Sequence, residues 1–179
     1  MHISSIEEYG VRCATQLARH FATQTALPAS KIATLEGISV EYVSKIMHLF
    51  KKAKLIESTR GIQGGFKLSQ DPSQIHLNQI FDALAGKKSS GDFCTHYSGN
   101  HTQCVHFEEC SIRPVWTLIS NYFNAFLKTV SLNDLLSQEN HLYAKLAKAA
   151  EEKAKALSTM TQLKLNTKGN QLNEKSPIV

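Results

Sequence analysis

What this chain of 179 residues lacks narrows its reading first. It has four cysteines but no Cys-x2-Cys pair, the spacing on which zinc knots are usually built. No apolar run is long enough to span a bilayer, and no apolar core with a small-residue cleavage site follows Met1-His2. The expectation is a cytoplasmic protein without a membrane partner, whose reduced thiols favour metal ligation over disulfides. There is no internal repeat, no substrate-binding glycine-rich loop and no catalytic dyad. Those absences speak against an enzyme and against a small-molecule substrate.

What is present is a basic chain with enough apolar residues, 42%, for a folded core. Its net charge is +5 and its pI about 9.0, which suggests a polyanionic partner. Residues 1–70 carry nine Lys/Arg against five Asp/Glu, residues 71–136 four against six, and residues 137–179 seven against four. The basic charge therefore sits at the two ends, on one domain of ordinary size with an appendage.

Apolar spacing predicts a helix over 4–22, with Ile6, Cys13, Leu17 and Phe21 on one stripe and Glu8, Arg12, Thr15 and Arg19 opposite. Cys13 on that stripe reads as a small core residue. Residues 28–36 form a short helix with Pro28 near its first turn and Gly37 just past its end. Ser39 caps a second helix running to about Ala53. Val43, Ile46, Met47 and Phe50 point inward from it; Glu41, Ser44, Lys45, His48, Lys51 and Lys52 point outward. Two helices joined by a short turn containing glycine make a helix-turn-helix.

A strand over 55–59, a glycine-rich tip over 60–65 and a returning strand over 66–68 follow, which reads as a wing. From Lys45 to Lys67 there are six Lys/Arg and one acid, Glu57. The plain alternative is a solvated basic face on an ordinary hairpin. Helix, wing and charge together favour double-stranded DNA. Ser39, Tyr42, Ser44 and Lys45 are then candidates for base edges or nearby phosphates. Arg60 with Gly61, Gly64 and Gly65 would engage the adjacent groove and backbone.

A short helix over 77–85 ends at Gly86, and 87–91 links it to a cysteine loop. A long helix then starts at Ser111, with Pro114 in its first turn. Its stripe, Ile112, Val115, Trp116, Ile119, Tyr122, Phe123, Phe126, Leu127 and Val130, is long for a small winged domain; covering the domain core is one use for it, and pairing with a second copy is the favoured one. Ser131–Leu136 reads as a capped turn, 142–157 as an exposed helix, and the chain beyond about Thr159 as disordered.

The loop carries Cys94, Cys104 and Cys110 at Cys-x9-Cys-x5-Cys spacing, among His96, His101 and His106. Three cysteines cannot all pair within one chain, and buried inert thiols would be scattered singly. Zinc held by three cysteines and a histidine is open; an iron–sulfur cluster is favoured.

These pieces together resemble the iron–sulfur winged helix-turn-helix transcriptional regulators of the IscR/NsrR type. The residues that carry the resemblance are Glu8-Tyr9-Gly-Val-Arg12, Lys52–Ile56, the wing Ser58–Leu68 and the three-cysteine loop before a long helix; it covers about 1–136. It implies a mainly α fold with a small β-hairpin wing and a long dimerisation helix. The expected layout is a winged domain over 1–86, a cluster loop over 87–113, a dimerisation helix over 114–137 and a tail over 138–179. The function implied is that of a repressor, a homodimer on a palindromic operator, holding a 2Fe-2S or 4Fe-4S cluster that senses redox state, nitric oxide or cluster and iron supply. A zinc- or thiol-based repressor is the alternative, and an iron–sulfur redox protein a further one. Cys94, Cys104 and Cys110 would be ligands. The histidine that IscR-type members place three residues after the last cysteine is Arg113 here. Glu8 takes the place of the carboxylate that NsrR draws from its first helix, with His106 and His101 as the other candidates for fourth ligand. Glu8 pairing with Arg12 at i+4 is the structural alternative.

Overall fold

The computed structural model describes residues 3–61, 64–85, 97–152 and 155. The chain divides into two compact units, Met1–Gln138 and Glu139–Val179. In the second, residues 139–152 are helical, so this helix starts three residues before the Leu142 that spacing predicts. The tail beyond residue 155 lies outside the described residues.

Among the described residues the first unit is mainly helical with one two-stranded sheet. Helix α1 (Ser5–Arg19) starts at Ser4, where the Glu7 carboxylate accepts from the Ser4 amide at 2.8 Å and its hydroxyl at 2.6 Å. It stops at Arg19, short of the expected 22. The His20 and Phe21 amides turn to carbonyls three residues back, Leu17 and Ala18, and tighten the end. Helix α2 (Ala29–Glu36) is closed by Gly37 at φ +65, a conformation that suits glycine. Helix α3 (Val40–Lys52) is capped by the Ser39 hydroxyl, which accepts from the Tyr42 amide at 3.2 Å. Val43, Ile46, Met47 and Phe50 are buried, as their spacing requires.

Strands β1 (Ile56–Thr59) and β2 (Gly65–Leu68) pair antiparallel, with Ile56 opposite Leu68 and Thr59 opposite Gly65. One pairing has no signal in the sequence. Leu27 bridges Phe66 through two backbone hydrogen bonds of 2.9 Å, so the chain entering α2 lies along β2. Gly65 makes that approach possible, because a Cβ there would lie 2.4 Å from the Leu27 carbonyl carbon.

Helix α4 (Leu77–Ala85) follows a single 3-10 turn, Pro72–Gln74, capped by Asp71. Helix α5 (Arg113–Leu127) carries Pro114 in its first turn. After it the chain returns to the winged unit. The Leu77 amide donates to Val130 O at 2.9 Å and the Leu132 amide to Ile75 O at 2.8 Å. Val130 and Leu132 are buried, and the Phe81 and Phe123 rings meet edge-on at 5.7 Å. The core is built on Leu17, Ile32, Ile46, Met47, Phe50, Ile75, Ile80 and Leu132.

Because backbone blocks a side chain at position 65, Gly65→Ala is expected to lower stability by about 1–3 kcal/mol, the usual cost of overpacking. A urea midpoint equal to that of the parent protein would show that the Leu27 bridge yields without cost.

Candidate nucleic-acid interface and cysteine loop

Helix α3 presents Ser44, Lys45, Glu41 and His48 to solvent. The Ser39 hydroxyl is engaged in the cap, and it also helps hold the Glu41 carboxyl below its usual range, after the larger contribution of Glu41's own amide. Tyr42 is half-buried, with its ring edge-on to Tyr9 at 5.8 Å and 89°. Of the four residues expected to face DNA from this helix, Ser39, Ser44 and Lys45 are exposed and Tyr42 is half-buried; Ser39 and Tyr42 also have partners within the fold.

At the hairpin, Arg60 is exposed and Gly61 has φ +107. The Gly64 amide donates to Gly61 O at 2.9 Å, and a Cβ on Gly64 would sit 2.7 Å from Thr59 O. The tip glycines thus have a purely local reason to be glycine. Ile62 and Gln63 lie outside the described residues. Lys51, expected to point outward, donates from Nζ to Ser58 Oγ at 2.7 Å and ties α3 to β1. Nothing in the spacing of the sequence signals that tie.

The cysteines fall into two environments. Cys13 is fully buried on α1, and burial pushes its thiol up to about 12. Cys104 and Cys110 are half-buried free thiols in the stretch leading into α5. Cys94 and His96 lie outside the described residues. The Arg113 amide, at the start of α5, donates to Cys110 Sγ at 3.3 Å. Its guanidinium donates to Phe107 O and sits 5.2 Å over the Phe107 ring, closing the turn between 107 and 113. Arg113 Nε is buried and has no hydrogen-bond partner among the described residues. Residues 103–109 line an open hollow of about 420 Å3. His101, His106 and Glu8 are exposed. Among the described residues, no three His, Cys, Asp or Glu side chains are grouped as a metal site would need. Arg12 bridges not to Glu8 but to Glu36, with Nε 2.6 Å from Oε2.

Residues 3–138 match the family model described as Rrf2: Iron-dependent Transcriptional regulator. The chain belongs to the Rrf2 family. It is similar to the HTH-type transcriptional regulator IscR of Photorhabdus laumondii, 25% identical over 142 residues that span 79% of this chain and 83% of the relative. Among solved structures it is similar to T. potens IscR, with 26% identity and a TM-score of 0.60 over 76% of this chain and 86% of that one. The fold is also that of CymR, the global cysteine regulator of B. subtilis, with 24% identity and a TM-score of 0.60 over 75% of this chain and 95% of the other. The chain is an IscR-like transcriptional regulator of winged-helix fold, not an enzyme. Among the described residues no helix is long and apolar enough to cross a membrane.

In the reduced, metal-free Rrf2 protein at pH 8, iodoacetamide is expected to modify Cys104 and Cys110 and to spare Cys13 until the protein is denatured. Peptide mass mapping reads the result, and native labelling of Cys13 at the rate of Cys110 would contradict its burial.

Proposed function

We propose that this Rrf2 regulator binds a palindromic operator in double-stranded DNA as a homodimer and acts as a repressor. An iron–sulfur cluster, 2Fe-2S or 4Fe-4S, would be held by Cys94, Cys104 and Cys110, with Glu8 as the fourth ligand and His106 or His101 in its place otherwise. Operator occupancy would then follow redox state, nitric oxide or the supply of cluster and iron. The observation that carries this reading is the Cys110 thiol at the start of α5, with a backbone N–H aimed at it and the unanswered Arg113 Nε donor close by in the chain. N–H donors stabilise ligating thiolates, and a buried guanidinium N–H suits an anionic, sulfur-ligated centre.

The homodimer reading rests on α5. Ile112, Val115, Trp116, Ile119 and Tyr122 follow one helical stripe and are 39–57% exposed. A contiguous apolar face of that kind marks an association surface, and a two-fold pair of winged units suits two half-sites. Ser44, Lys45 and Arg60 supply the exposed DNA-facing groups, with Ser39 and Tyr42 at the start of the same helix and Gly61, Gly64 and Gly65 shaping the wing.

When bound, a cluster supplies iron–thiolate bonds that oxidants and nitric oxide can break. The chain's own part is to hold the cysteine stretch against the N-terminus of α5 through Arg113 and Phe107. The apolar stripe starts at that end, so ordering of the stretch would govern how the paired winged units are spaced. Zinc on three cysteines and a histidine is the competing reading and would leave the protein colourless.

Protein purified without oxygen is expected to absorb in the visible. Cys94→Ala, Cys104→Ala and Cys110→Ala should each abolish the colour and Cys13→Ala keep it; a coloured Cys104→Ala protein would remove the ligand set. Glu8→Ala is expected to lose the parent spectrum or its lifetime in air. If it keeps both while His106→Ala or His101→Ala loses them, the carboxylate assignment is wrong.

Arg60→Ala is expected to weaken operator binding by about 1–3 kcal/mol. Unchanged affinity in a filter-binding or anisotropy titration would take the wing out of the mechanism.

A further inference from the structure

We infer that Tyr9 and Arg12 of α1 are positioning residues for DNA binding, acting through Tyr42 and Glu36 without touching the duplex. The inference rests on α3 being the helix that enters the groove, and it goes beyond that reading by assigning the angle of α3 to α1.

Glu36 is the last residue of α2 and only 8% exposed. A carboxylate there sits at the negative end of a helix dipole and away from water, so it needs donors. All of those found come from α1. Arg12 Nε donates to Oε2 at 2.6 Å, Gln16 Nε2 donates to Oε1 at 2.5 Å, and Arg12 Nη2 reaches the Glu36 carbonyl at 3.3 Å. Both carboxylate oxygens are thereby held. The same guanidinium lies 5.2 Å from the centroid of the Tyr9 ring, and Tyr9 meets the Tyr42 ring edge-on.

Glu36 and Tyr42 flank the turn between α2 and α3. Within the turn itself, the Ile38 amide donates to Ala33 O at 3.1 Å and the Ser39 hydroxyl caps α3. Those bonds fix the ends of the two helices; the angle between them rests on their shared core and on their contacts with α1. Tyr9 and Arg12 grip both sides of the turn from one face of α1. Arg12 stays charged across the working pH range, since its hydrogen bond to Glu36 raises its pKa further, so the grip does not titrate away. Tyr42 then serves by packing its ring, not by offering its hydroxyl to a base or phosphate.

The test uses the full chain and a duplex that the parent protein selects from a random-sequence pool, titrated by fluorescence anisotropy at several salt concentrations. Tyr9→Ala, Arg12→Ala and Tyr42→Ala are each expected to weaken binding about tenfold, the scale of one mismatched base pair, with the slope of log K against log salt unchanged. Tyr42→Phe and Tyr9→Phe keep the rings and are expected to bind like the parent. Loss of affinity in Tyr42→Phe, with Tyr9→Ala unaffected, would overturn the inference, because Tyr42 would then act through its hydroxyl. A slope lowered by about one unit in Arg12→Ala would also overturn it, by making Arg12 a phosphate contact. Should Arg12→Ala fail to fold, Arg12→Lys keeps the charge while losing the paired bonds and the ring contact, and is expected to show the same loss. Lys45→Ala tests the underlying reading separately: a weaker complex with a shallower salt slope supports α3 as the groove helix. A Lys45→Ala protein that binds like the parent, beside weakened Tyr9 and Arg12 variants, would overturn that reading of α3 and the positioning argument built on it.

Discussion

A carboxylate buried at the C-terminal end of a helix faces two costs at once, desolvation and the negative end of the dipole. Glu36 is such a group, and the first unit is arranged so that α1 answers it. Arg12 and Gln16 can reach Glu36 only if α1 crosses next to α2 in one rotation and at one height. That rotation turns Cys13, Ala14, Leu17 and Ala18 into the core and brings Gly10 against α4, where a Cβ would lie 2.3 Å from Leu84 Cδ1. One polar constraint on one face of α1 thus fixes which apolar face is buried on the other. Removing the Arg12 partner alone would leave an uncompensated buried charge, which costs more than the pair itself contributes.

Helix α5 follows the opposite logic. It is secured at one end, where Leu127, Val130 and Leu132 are buried and the backbone at 130–132 pairs with that at 75–77. Its first turns give little to the core: Val115, Trp116 and Ile119 stay substantially exposed while Phe123 reaches Phe81. Among the described residues, the end of α5 that carries Cys110 and Arg113 is therefore the end with fewer contacts to the winged unit.

The ends of α2, the start of α3 and its inward face were legible in the sequence because their causes are local. Ser39 caps, Gly37 adopts a positive φ, and Val43, Ile46, Met47 and Phe50 recur at helical spacing. The wing was legible for the same reason, since β1, the glycine tip and β2 are contiguous. What the sequence hid is long-range. Arg12 reads as a partner for Glu8 one turn away, yet its bridge is to a residue 24 positions on. Leu27 shows no strand pattern, yet it pairs with Phe66, and Lys51 reads as a free cation but reaches Ser58 on the neighbouring strand. Glycines mislead in a related way. A glycine that lets a ligand approach and one that lets the chain's own backbone approach look alike in sequence, and Gly64 and Gly65 have the second reason whatever else they do.

The cysteines were only partly legible, because fold and chemistry are written in different places. Cys13 follows the apolar stripe of α1, so its burial and its unreactive thiol come with the helix. Cys104 and Cys110 follow no periodicity, and Cys110 is met by Arg113, whose donor role no ligand pattern signals. Arginine cannot ligate a metal, so position 113 reads as a lost ligand by residue type alone. In the structure the same residue offers its amide to Cys110, its guanidinium to Phe107 O and a further buried Nε donor. On the proposed cluster reading, a donor at position 113 would tune and orient a thiolate where a ligand would bond directly. On the cluster reading, a fourth bond from Glu8 on α1 would make the centre a link between parts of the fold, whereas one from His106 or His101 would keep it within the cysteine stretch.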